Sequence, residues 1–97
     1  MNEYEAEQLS ILLLQTLTKL NESAAFVRDK DAEEHWDIYR KAVGRAMGII
    51  CLELQAPLWH RFPEVKPEKM GGTYELPEDI YEPKFYEFLM IRSKSAN

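Results

Sequence analysis

A chain of 97 residues, 45% apolar and 30% charged, has room for one domain and is too apolar to stay disordered. Its net charge of −5 argues against sequence-independent nucleic-acid binding, which needs a sustained basic surface. Cys51 is the only cysteine, which excludes an intrachain disulfide, and apolar runs such as Ile11 to Leu14 are far too short to span a bilayer.

The N-terminal stretch predicts a long helix from Asn2 to about Arg28. Asn2 is a good N-cap, and Glu5 stands three positions on as in a capping box. Leu9, Leu13, Leu17, Leu20, Ala24 and Val27 recur at spacings of three and four, so they share one face. Ile11, Leu12 and Leu14 widen that stripe beyond what one neighbouring helix covers. Met1 to Glu5 is acidic and lacks a signal-peptide pattern, so the expected location is cytoplasmic.

A second helix is expected from Asp31, read as its N-cap with Glu34 in support, to about Gln55. Its stripe is Trp36, Tyr39, Val43, Met47, Ile50 and Leu54. A connection this short makes the two helices antiparallel neighbours. Cys51, in the apolar run Ile49 to Leu52, is expected to be a small buried hydrophobe. Gly44 and Gly48, with Ala42 and Ala46, form a small-residue patch where each glycine costs about 1 kcal/mol relative to alanine. Close approach by a neighbour would offset that cost, from the chain's own elements or from a second copy.

Charge is unevenly spread, at −6 over residues 1–37, +3 over 38–61 and −2 over 62–97. Arg40, Lys41 and Arg45 are expected to pair with acids of the first helix.

Pro57 is expected to end or kink the second helix, because its ring crowds the carbonyl of Glu53 and supplies no N–H. Pro63, Pro67, Gly71 and Gly72 then break regular structure, and from Tyr74 the chain is dense in aromatics and acids. A short final helix is predicted from Pro83 to Ile91. The fold expected is all-α: a helical hairpin over residues 1–56, with residues 57–97 as an ordered covering segment of one single domain.

Catalytic and metal-binding patterns are sparse. His35 and His60 do not meet the HExxH spacing, no CxxC is present, and no GxSxG turn or phosphate loop exists. Glu33-Glu34-His35-Trp36-Asp37 resembles the EExx(E/D) carboxylate cluster with which all-α nucleotide pyrophosphohydrolases hold magnesium. That resemblance covers five residues and implies, as the alternative function, a magnesium-dependent nucleotide hydrolase. The family's second acidic pair, ExxD, has no counterpart on this helix, which offers only Glu53.

The function expected is therefore a non-enzymatic protein-interaction module with no cofactor and no metal site. Tyr74, Tyr81, Glu82 and Tyr86 are its candidate recognition residues, because tyrosine can bury a ring while presenting a hydroxyl at an interface. Leu12, Gly44 and Gly48 are candidates for close helix packing or a homodimer contact, a four-helix bundle being the simplest closed pairing.

Overall fold

The computed structural model describes residues 1–86. Its framework is two long antiparallel helical arms. Helix α1 spans Glu3–Lys30, and its capping box is formed: Asn2 accepts from the Glu5 amide while the Glu5 carboxylate accepts from the Asn2 amide, both at 2.8 Å. Helix α2 spans Glu33–Ile49. Asp31 is not its N-cap. Asp31 closes α1, its amide donating to the Val27 carbonyl, and its carboxylate accepts from the adjacent Ala32 amide. Ala32, which has no capping side chain, holds the N-cap position of α2.

The second arm does not stop at Pro57. A π-helical segment, Ile50–Gln55, follows α2 and leads into α3, Ala56–Arg61, with Pro57 in the first turn of α3. The Ala56 amide donates to the Cys51 carbonyl, five residues back, which is the wider π turn. This wider turn gives the proline ring room beside the preceding carbonyls, and the first turn of a new helix tolerates its missing N–H. The hairpin therefore runs to Arg61.

Two indole groups pin the arms together. Near the connection, the Trp36 Nε1–H donates to the Ala24 carbonyl at 3.1 Å, and the Tyr39 hydroxyl donates to Ser23 Oγ at 2.9 Å. Near the far end, the Trp59 Nε1–H donates to Ser10 Oγ at 2.9 Å, and Ser10 in turn donates to the Val65 carbonyl. The core lies at this far end, where Ala6, Leu13 and Leu14 of α1 meet Leu58, Trp59 and Val65. Leu9, Ile50, Phe62, Leu76 and Tyr81 pack around them. Leu13 and Leu14 are adjacent in sequence and both buried, so α1 does cover more than one direction.

After α3 the chain makes two short 3-10 turns, Pro63–Val65 and Glu68–Met70, and then doubles back. Gly71 takes φ +92°, a left-handed conformation open to glycine. Gly72 lies against the Lys66 backbone, where a Cβ would meet the Lys66 carbonyl oxygen at 2.1 Å. This close return lets Tyr74 and Pro67 form an isolated parallel bridge. Residues 83–86 are not helical, so the final helix does not begin at Pro83; the rest of that expected helix lies outside the described residues.

Candidate interaction surface

The segment from Tyr74 to Tyr86 returns along α1 and is tied to it by side chains spaced along that helix. The Tyr74 hydroxyl donates to Glu7, and Gln15 Nε2 donates to the Ile80 carbonyl at 2.6 Å. Lys19 donates to the Pro83 carbonyl, and the buried Glu22 carboxylate accepts from the Phe85 amide at 2.8 Å. The Tyr86 hydroxyl donates to Asp29 at 2.7 Å, while its ring meets Phe26 edge-on at 5.3 Å. Glu22 also sits 3.6 Å from Lys19, so this buried carboxylate has a charged neighbour as well as an amide.

These bonds place the candidate recognition residues. Tyr74 and Tyr86 turn their hydroxyls inward onto α1 rather than outward, and Tyr86 is buried. The hydrogen bond to Glu7, with partial burial, pushes the Tyr74 phenol up to about 12, because both penalise the phenolate. Tyr81 packs on the core cluster, and Glu82 is exposed. Leu12 is exposed and lines a cleft of about 420 Å³ with Gln15, Ile80, Tyr81 and Pro83.

The two glycines of the small-residue patch have no close neighbour among the described residues. A Cβ at Gly44 or Gly48 would meet nothing within 4 Å, so no element among the described residues approaches either glycine closely. The basic residues of α2 also do not reach α1. Arg40 and Lys41 both pair with Asp37 of their own helix, at 2.6 and 3.0 Å, and hold its carboxyl below the usual range. Spacings of i, i+3 and i, i+4 reach this local acid before any residue across the hairpin.

The same pairing bears on the carboxylate cluster. Both Asp37 oxygens are engaged by cations, and no group of three metal-ligating side chains occurs among the described residues. His35 and His60 are both exposed. His60 lines an open cleft of about 990 Å³ beside Trp59, Glu64, Lys66 and the Gly71-Gly72 turn.

The largest unexpected feature is the outer side of the second arm. Val43 is the one buried residue of α2. Ile38 is 69% exposed, Ile49 53%, Leu52 74% and Leu54 48%, so most of the apolar run from Ile49 to Leu54 is left in solvent while Ile50 packs on the core. Cys51 is exposed with it, not buried, because Ile50 and Gln55 are the residues of this segment that turn inward. Ile38, Ala42, Arg45 and Ile49 recur at spacings of four, three and four, a second stripe on the opposite side of α2 from Val43, and exposed Leu52 follows it within the π-helical segment. That spacing is present in the sequence, but the larger aromatic stripe beginning at Trp36 dominates the pattern.

No known protein family, curated protein or solved structure matches this chain. Among the described residues, no helix is long and apolar enough to cross a membrane.

Proposed function

We propose that this protein is a non-enzymatic interaction module that acts by surface recognition of a protein partner through the outer face of its second arm. The observation that carries the reading is the exposure of Ile38, Ile49, Leu52 and Leu54 on one arm of an otherwise paired hairpin. Clustered aliphatic exposure of this kind marks protein-binding surfaces, and here it is rimmed by Arg45, Glu53 and Arg61. Tyr81 and Glu82 form a second, smaller edge beside exposed Leu12; Tyr74 and Tyr86 serve it from beneath by anchoring the segment to α1.

The test compares affinity purification from the native cell using the wild-type chain, Ile49→Glu with Leu52→Glu, and Tyr81→Ala with Glu82→Ala. A protein, including the chain itself, whose recovery is lost only with the first pair supports the reading. Recovery unchanged by both pairs, or heat on calorimetric titration with magnesium and a nucleoside triphosphate, overturns it.

A further inference from the structure

The exposed stripe on the second arm is complementary to itself when a second copy is laid along it in the opposite direction. Resting on the reading of this face as an interaction surface, we infer that its occupant is another copy of this chain, paired antiparallel about a two-fold axis at Ile49.

Size and charge both support this arrangement. In the two turns before Ile49, Ala42, Ala46 and Gly48 leave gaps on the arm, whereas Leu52 and Leu54 stand exposed just after it. A Cβ added at Gly48 would meet nothing within 4 Å among the described residues, and Leu52 is the most exposed aliphatic residue of the arm. An antiparallel copy sets Leu52 at the level of Ala46 and beside Gly48, so the bulk of one half meets the space of the other. Ile49 then meets its own copy at the axis, and Ala42 lies level with Ala56.

The charges of Arg45 and Glu53 follow the same symmetry. Arg45 stands four residues before Ile49 and Glu53 four residues after it, both exposed. Neither has an ion-pair partner among the described residues. In the antiparallel pairing each Arg45 lies level with Glu53 of the second copy, twice per dimer. A parallel pairing instead sets Arg45 against Arg45 and large side chains against large ones. An isologous contact repeats each complementary pair by symmetry. The arm, Glu33 to Arg61, is roughly 43 Å long at 1.5 Å per residue, which leaves the seam several turns on either side of the axis.

Sedimentation equilibrium of Arg45→Glu, Glu53→Arg and their equimolar mixture tests both occupant and register. Arg45, Ile49, Leu52 and Glu53 are all exposed, so circular dichroism is expected to show unchanged helicity in each variant. The wild-type chain is expected to sediment at twice 11.4 kDa. Each single charge reversal sets like charges level at both crossings and is expected to weaken association about tenfold or more. Mixing the two variants restores opposite charges at both crossings and is expected to recover the dimer. Ile49→Glu, placed at the axis, is expected to give monomers. A wild-type monomer at high micromolar concentration overturns the inference, as does a mixture no tighter than its components. If the wild-type chain is monomeric yet Ile49→Glu with Leu52→Glu loses a co-purifying protein, self-pairing fails while the interaction surface stands.

Discussion

The Tyr74 hydroxyl donates a hydrogen bond to the carboxylate of Glu7, 67 residues earlier in the chain, and so fastens the start of the returning segment to the first turns of α1. The bond favours the neutral phenol, so Tyr74 titrates later than an ordinary tyrosine, near 12. A group with a raised folded value contributes stability below its unfolded value that is lost as pH rises through the folded one. The contribution is expected in full below about pH 10 and to fade between there and about 12. Absorbance titration at 295 nm should show a late phenolate component that Tyr74→Phe removes.

The Ser10–Trp59 pair offers a sharper stability test. Both residues are buried, and Ser10 Oγ is the acceptor for the indole N–H. Ser10→Ala leaves that donor buried without a partner and is expected to cost about 1–3 kcal/mol by urea denaturation. Adding Trp59→Phe removes the orphaned donor, so the double variant is expected to lose less than the sum of its two single changes.

Acidity acts in opposite senses at Glu3 and Asp37. Glu3 is raised by its hydrogen bond to Glu64, then by the repulsion of Glu64 and Glu7, so the pair suits the fold best when one carboxyl holds a proton. Its contribution is present below the ordinary glutamate value and lost as pH rises through the raised one. Asp37 is lowered by Lys41 and Arg40, so its contribution is present above the ordinary aspartate value and lost as pH falls through the lowered one. Melting temperature followed from pH 3 to 7 is expected to show Glu64→Gln gaining on wild type as pH rises. Asp37→Asn is expected to fall behind wild type over the same range.

Glycine positions separate local cost from packing need. Gly44 is exposed within a helix, and an added methyl meets nothing, so Gly44→Ala is expected to stabilise the chain by about 0.5–1 kcal/mol. Gly72→Ala is expected to destabilise it and to release the Tyr74 return, because its Cβ would collide with the Lys66 backbone. Thermal melts of both variants measure the two signs.

The two arms, the capping box and the antiparallel pairing are all legible in the sequence, because caps and spacings of three and four are local signals carried by Asn2, Glu5 and the leucines of α1. The continuation past Pro57 is not legible. It depends on a change of hydrogen-bond step that no residue between Ile50 and Gln55 announces. The inward turn of the Tyr74 and Tyr86 hydroxyls is equally hidden, since their acceptors, Glu7 and Asp29, lie more than fifty residues away. Composition marks those tyrosines as amphipathic; only the fold decides which end faces water. The outer stripe of α2 is written in the sequence, but its exposure follows from where α1 and the returning segment run.

The π-helical segment sets the rotational phase of everything beyond it. Before it, Trp36 and Val43 look toward α1 near the connection; after it, Leu58 and Trp59 look toward Ala6, Leu14 and Val65. A wider turn places each following side chain at a different azimuth from the one an unbroken α-helix would give. Rewinding the same residues as an unbroken α-helix would turn Trp59 by roughly 100° away from Ser10. Deleting one residue between Ile50 and Gln55 instead removes the extra residue of the wide turn and leaves Trp59 near its present bearing. The one extra step per turn thus works as a vernier, aligning the far end of the arm with its core while the near end keeps its own bearing.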